Sequence, residues 1–165
     1  MPHITFRRLT PQDLPLVDSW LTQPHVRAAW DDEAMELSDG CTQWLSLVDG
    51  RPVGYIQSYQ AIEGHAEGWW REVQDPGVFG VDQFLADGHA LNRGLGSRVM
   101  YAFVQELLVD PRVTCVQADP APDNARAIRS YEKAGFVRVG QVTTPDGPAV
   151  LLHFVRPSPS GPTLQ

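Results

Sequence analysis

Two periodicities organise this chain. Leu95, Val99, Phe103 and Leu107 recur at every fourth residue, the spacing of one buried helical face, so an amphipathic helix is predicted directly behind Gly94 and Gly96. Leu14, Val17 and Leu21 mark an earlier helix in the same way. Its start is read at Thr10-Pro11-Gln12-Asp13, a cap, a proline at the first helical position and a carboxylate three residues after the cap. Pro15 is the one discordant residue in its first turn, and Pro24 should end it. A short second helix is expected over residues 25–30, and a last one over residues 124–134, capped by Asp123 and closed by Gly135. The other period is that of strands. Residues 44–48 and 53–59 flank Asp49-Gly50, a strong hairpin signal. Residues 78–85 lead toward the two glycines, residues 113–118 follow the long helix, and residues 136–142 and 149–155 enclose the turn Thr143-Thr144-Pro145-Asp146-Gly147-Pro148. Between them, residues 63–77 are rich in Gly, Glu and Asp yet carry Trp69-Trp70, which reads as a surface loop holding large aromatic groups.

Composition narrows the possibilities. A chain of 165 residues, 42% of them hydrophobic, fits one domain with a single core, here taken as residues 1–156. The Pro/Ser/Gly-rich stretch 157–165 reads as a disordered tail. No apolar run approaches the roughly 20 residues needed to cross a bilayer, and the first residues lack the apolar segment of a signal peptide, so the cytoplasm is the expected location. Cys41 and Cys115 read as ordinary thiols rather than a disulfide. His3, His25, His65, His89 and His153 show no metal-ligand spacing, and no metal is expected. Thirteen basic against twenty acidic residues leave a net charge of −7. That balance disfavours nucleic acid and anionic membranes as partners and would attract a cationic ligand, although acidity also serves solubility.

The glycines carry the first chemical signal. The opening N–H groups of a helix have no internal partner and lie at the positive end of its dipole, and glycine lets a phosphate approach the backbone closely. A phosphorylated ligand suits Asn92-Arg93-Gly94-Leu95-Gly96-Ser97. So does a tight turn that merely packs well. A dinucleotide-binding loop would need glycine where Val99 stands, and a Walker-type loop would need Gly-Lys-Ser/Thr, which is absent.

Residues 91–97 before a helix, a preceding strand at 81–85, and Asn124-x-x-Ala127-x-x-x-Tyr131-x-x-x-Gly135-Phe136 together resemble the GNAT superfamily of acyl-CoA-dependent N-acyltransferases. The resemblance implies an α/β (α+β) fold, a single GNAT-type domain with a mixed central sheet flanked by helices, and acetyl-CoA as cosubstrate. It assigns Gln83, Phe84, Leu85, Asn92, Arg93, Gly94, Leu95, Gly96, Ser97 and Asn124 to the cofactor. Leu91 departs from the superfamily pattern, which usually begins there with Gln or Arg. Pyrophosphate binding by backbone N–H groups does not depend on that side chain.

Further segments are similar to aminoglycoside 6'-N-acetyltransferases: Gly54-Tyr55-Ile56-Gln57-Ser58-Tyr59, Gly68-Trp69-Trp70, Asp75-Pro76-Gly77-Val78, Gly80-Val81-Asp82-Gln83, Asp119-Pro120 and the 143–150 turn. By that resemblance Asp82, Asp119 and Asp146 line a pocket for a polycationic drug, with Trp30, Gln57 and Trp70 beside them. Glu67 stands where that family can carry Asp.

Acyl transfer to an amine needs a neutral amine, a site for the oxyanion and a proton for the departing thiolate. Asp82 is the candidate to take the ammonium proton, provided that burial or neighbouring carboxylates raise its pKa above the ordinary value near 3.9; otherwise it serves to bind the amine. Tyr131, at the superfamily's tyrosine position, is the candidate proton donor. With no Gly-x-Ser-x-Gly elbow or Cys-His arrangement, direct transfer is favoured over a covalent enzyme intermediate. Three functions stay open at this point: acetylation of the 6'-amine of an aminoglycoside with resistance as the consequence, acylation of a siderophore precursor or other amine metabolite, and a non-catalytic acyl-CoA-binding module. The protein is expected to work as a monomer or homodimer.

Overall fold

The alternating segments assemble into one mixed sheet in which, among the described residues, a single parallel seam frames the site. The computed structural model describes residues 2–30, 34–88 and 93–158. Its strands are β1 (Ile4–Arg8), β2 (Thr42–Val48), β3 (Arg51–Gln60), β4 (Val78–Leu85), β5 (Cys115–Ala118), β6 (Val137–Thr144) and β7 (Gly147–Val155). They lie in the order β1-β2-β3-β4-β5-β7-β6. Each pairing is antiparallel except β4 with β5. Among the described residues the α-helices are α1 (Leu14–Leu21), α2 (Pro24–Arg27), α3 (Leu95–Leu107) and α4 (Ala125–Lys133).

Turn chemistry sets the register where it was legible. Asp49 and Gly50 adopt φ values of 50° and 81°, the pair of left-handed residues that a two-residue hairpin requires. The β2–β3 hairpin therefore closes at Val48 opposite Arg51. Two apolar clusters cover the two faces of the sheet. Val99, Met100, Phe103 and Val104 of α3 and Ile128 and Tyr131 of α4 pack with Ile56, Val81 and Leu152, which gives the period of four its packing partner. Val17, Trp20 and Leu21 of α1 and Val26 of α2 pack with Leu45, Tyr55 and Phe84. Each Val, Leu, Ile, Phe or Met among them stabilises the fold by about 1.5–3 kcal/mol when fully buried.

The feature that positions the site is a seam that stops early. Parallel pairing runs from Val78 opposite Cys115 to Gly80 opposite Gln117, yet β4 continues to Leu85, held on its other side by β3 as far as Gly54. Beyond Gly80 the sheet splits. One edge of β4 then faces a cleft in place of a strand.

Several sequence expectations need correction. The N-terminal strand β1 was not foreseen, because Ile4-Thr5-Phe6 is too short for an alternation to stand out and is held by pairing with β2. Thr10 and Asp13 do form the expected cap, with the Asp13 carboxylate accepting from the Thr10 N–H at 2.8 Å. They open a 3-10 turn, Pro11–Asp13, from which α1 follows with Pro15 tolerated in its first turn. Pro24 starts α2 at its first position, and that helix ends at Arg27, short of Trp30. The cap of α4 is Asn124, whose Oδ1 accepts from the Ala127 N–H at 3.2 Å, and not Asp123. Strand β5 begins at Cys115 and not at residue 113. Strands β6 and β7 run further into the turn than expected, leaving Pro145 and Asp146 between them. Residues 61–67 of the aromatic loop are a 3-10 helix.

Candidate active site

A groove of about 630 Å³ opens where the sheet splits, lined by Gln83, Phe84, Leu85, Gly94, Gly96 and Tyr131 among others. Gly94 caps α3 with φ 75°, a conformation that costs glycine little and other residues more. Leu95, Gly96 and Ser97 occupy the first turn, whose N–H groups precede the first helical bond, from Arg98 N–H to Gly94 O. Ser97 donates its hydroxyl to the Gly94 carbonyl at 2.9 Å, which stiffens the turn. Gln83 holds the turn against β4 by donating from Nε2 to the Gly96 carbonyl at 2.9 Å, while its buried Oε1 has no partner. A Cβ on Gly96 would lie 3.2 Å from Ser130 Oγ, so the narrow contact between α3 and α4 depends on glycine there. These features fit a cofactor that carries phosphate and amide groups: among the described residues the N–H groups at the start of α3 suit the phosphate, and the orphaned Gln83 Oε1 acceptor and the β4 edge suit amide N–H groups along the same groove.

On the other side of β4 the residues that the resemblance assigns to the acceptor meet. Gln57 and Asp82 are directly opposed across β3 and β4, and Gln57 Nε2 donates to Asp82 Oδ2 at 3.1 Å. Burial pushes the Asp82 carboxyl above the ordinary range, the Gln57 hydrogen bond pulls the other way, and the Asp146 charge pushes up again. Asp119, two residues past the end of the β4–β5 ladder, is raised to about 8, first by burial and then by the charges of Asp82 and Asp146. Three carboxylates therefore share one electrostatic environment. The Tyr131 phenol is driven well above its usual range by burial, with Asp82 and Asp119 adding to it. It stays protonated at any working pH.

The remaining predicted residues fall in different places. Trp30 lies past the end of α2 and packs edge-on against Tyr55 and Phe84, with ring centroids 5.7 and 5.0 Å away. Trp70 is 5% exposed and follows a turn at Gly68 (φ 90°), so its ring tucks inward beside Trp69, 5.8 Å off. Glu67 ends the 3-10 helix at the surface. The adjoining Gly68 would bring a Cβ within 3.8 Å of Pro145, next to Asp146. Arg93 is exposed at the loop, and Asn92 lies outside the described residues.

Residue types with ordinary structural uses escaped the sequence reading. Tyr59 lies across Gly80 so closely that no Cβ fits there, and burial first, then Asp82 and Asp119, raise its phenol. A glycine within a strand was the available sign of such close approach. Tyr55, Gln43 and Cys41 reach the same network through Gln57, and nothing in their local sequence signals it.

Comparison with known proteins identifies the family. The family described as "Acetyltransferase (GNAT) domain" matches residues 10–144. The chain belongs to the GNAT acetyltransferases. Aminoglycoside N(6')-acetyltransferase type 1 of Klebsiella pneumoniae is 43% identical over 168 residues, covering 93% of this chain and 83% of that protein. The crystal structure of aminoglycoside acetyltransferase AAC(6')-Ib in complex with coenzyme A and kanamycin superposes with a TM-score of 0.87 at 42% identity, over 93% of this chain and 95% of that one. The complex of AAC(6')-Ib with ribostamycin and coenzyme A gives 0.86 at 43% identity, over 93% of each chain. Within the GNAT class the chain groups with the aminoglycoside 6'-N-acetyltransferases.

Proposed function

We propose that this protein transfers acetyl from acetyl-CoA to the 6'-amine of aminoglycosides, thereby conferring resistance, and that Asp82, Asp119 and Asp146 receive the polycationic acceptor. The observation that carries the reading is the group of carboxylates at the split of the sheet, where burial and repulsion from neighbouring charges raise both Asp82 and Asp119 above the ordinary carboxylate range. A ligand with several ammonium groups relieves that repulsion. An acceptor with less charge has no use for it.

The roles follow from the chemistry of each group. Asp82, raised above the ordinary carboxylate range by burial, is a better base than a solvated aspartate and takes a proton from the attacking amine, directly or through water. Tyr131 keeps its proton and supplies it to the leaving sulfur. The edge of β4 beyond Gly80, which no described strand pairs and whose Leu85 carbonyl is met by His25 Nε2 at 2.8 Å, suits at Gln83, Phe84 and Leu85 the amide-bearing arm of acetyl-CoA, as an added strand would. The first turn of α3, from Gly94 to Ser97, suits the pyrophosphate, with Arg93 beside it and Asn124 at the far wall. When bound, acetyl-CoA supplies the thioester. Trp30, Gln57, Glu67 and Trp70 shape the acceptor side. Residues 1–156 form the working unit, acting in the cytoplasm, where acetyl-CoA is at hand.

Release of CoA thiol by purified protein tests this, with acetyl-CoA and three acceptors: an aminoglycoside bearing a 6'-amine, its 6'-hydroxyl counterpart, and a simple diamine. Turnover confined to the 6'-amine drug is the expected outcome. Turnover with the diamine alone would overturn the substrate assignment.

A further inference from the structure

A one-way chain of hydrogen bonds leads from the backbone of residues 36–38 to Asp82. Its direction is set at the backbone end. Gln43 Oε1 accepts from the Ser38 N–H at 2.8 Å, and Gln43 Nε2 donates to the Glu36 carbonyl at 2.8 Å. A backbone N–H can only donate and a carbonyl can only accept, so the Gln43 amide has one orientation. Its second Nε2 hydrogen goes to Tyr55 Oη at 3.0 Å. Tyr55 therefore spends its single proton on Gln57 Oε1, 2.7 Å away. The thiol of Cys41 reaches the same oxygen at 3.7 Å. With its oxygen taken by two donors, the Gln57 amide must turn its NH2 to Asp82 Oδ2 at 3.1 Å. Tyr55 is fully buried, Gln43 is 6% exposed, and the Tyr55 ring is stacked 5.4 Å from Phe84. No solvent competes for these bonds at the Tyr55 hydroxyl.

We propose that Tyr55, acting through Gln57, is a positioning residue that commits the Gln57 amide to donate to Asp82 and so keeps Asp82 an ionised acceptor aimed at the substrate amine. The proposal rests on the reading of Asp82 as the carboxylate that meets the amine. Without the Tyr55 hydroxyl only the weak thiol donor of Cys41, 3.7 Å away, holds the Gln57 oxygen, and the amide can turn over and present its carbonyl, which only a protonated Asp82 satisfies. The titratable groups facing Asp82 are Cys41 from the segment before β2, Tyr55 and Tyr59 from β3, Asp119 after β5, Tyr131 from α4 and Asp146 from the β6–β7 turn. Burial and the Asp146 charge push a proton onto Asp82, and the Gln57 donor is the bond that opposes them.

The test is the titration of Asp82, followed by 13C NMR of its carboxyl carbon and by the pH dependence of kcat/KM for a 6'-amine aminoglycoside. It compares wild type, Tyr55→Phe, Gln57→Leu and the double variant. In Tyr55→Phe the Asp82 titration and the acid limb of the profile should both move up by about one pH unit, the size of one hydrogen bond to a charged group. The double variant should titrate like Gln57→Leu alone, because Tyr55 acts only through the amide. An Asp82 titration in Tyr55→Phe that superimposes on wild type overturns the proposal, as does a double variant whose shift is the sum of the two. The carbon titration needs folded protein and no turnover, so an inactive Tyr55→Phe still decides the matter. Should Tyr55→Phe fail to fold, Gln43→Leu, which releases Tyr55 to rotate its proton, should shift Asp82 in the same direction by less, and no shift there overturns the proposal equally. Full activity in Asp82→Asn would overturn the catalytic reading of Asp82 while leaving the titration of the relay to be judged by itself.

Discussion

The two sides of β4 solve opposite problems with opposite materials. On the cofactor side the chain offers main-chain N–H groups and a free strand edge, and its side chains mostly stay out of the way: Gly94 caps the helix in the left-handed region and Gly96 leaves room against Ser130. On the acceptor side the work falls to side chains from β3, β4, the residue after β5 and the β6–β7 turn, among them carboxylates that repel one another. A site made of backbone survives most substitutions and costs little to assemble. A site made of crowded, half-buried charges is expensive until a cation arrives. The comparison implies that acceptor binding and folding stability are coupled through the carboxylates, while cofactor binding is coupled to little beyond the loop.

The sharpest way to break this contrast is Asp82→Asn. It should lower kcat/KM for the drug by about a hundredfold or more and leave the Kd for acetyl-CoA, measured by calorimetry, unchanged. Equal losses on both ligands would mean that the two halves are not separate. The reciprocal change is Gly96→Val, whose branched side chain would crowd Ser130 and Gln83. The KM for acetyl-CoA should rise about tenfold, with the KM for the drug little altered. Asp146→Ala should be milder, because that carboxylate is exposed and its field is screened. A rise of about threefold in drug KM, weakening further in high salt, is expected.

The smallest effect concerns stability. Asp119 has a folded-state pKa of about 8, above its value in an unfolded chain near 3.9. The folded protein therefore holds the proton more tightly, so this group's contribution is fully present below pH 4 and is lost as pH rises through about 8. Asp119→Asn should remove that component of the pH dependence. Its Tm at pH 8.5 should equal or exceed that of wild type, and thermal melts between pH 5 and 9 would show it. A wild type that is the more stable protein at pH 8.5 would mean that the ionised carboxylate is stabilised in the fold after all.

These expectations rest unevenly on what could be read before folding was considered. The helix and glycines proposed for the cofactor were legible because their determinants are contiguous: two glycines and an apolar period of four that buries Val99 and Phe103. The hairpin at Asp49-Gly50 was legible for the same reason, since the left-handed conformations belong to the two turn residues themselves. Asp82, Asp119 and Asp146 could be singled out only through resemblance to a family, as a turn aspartate has an ordinary structural use. Tyr55 and Gln43 gave no signal at all. One looks like a core aromatic and the other like a polar residue of an inner strand.

What the sequence by itself determined, then, is the helices, the hairpin and the strands other than β1, together with the inventory of chemical groups, because propensity, capping and turn geometry act over a few neighbouring residues. It did not determine which carboxylates share an environment or how strongly each holds its proton. Those depend on cross-strand register, which sets Gln57 opposite Asp82, and on the seam that ends at Gly80 and Gln117. They depend also on burial, which raises Asp82 and Asp119. Register, splitting and burial are decided by the packing of the whole sheet between its two apolar clusters, and only the tertiary structure turns scattered acids into one site.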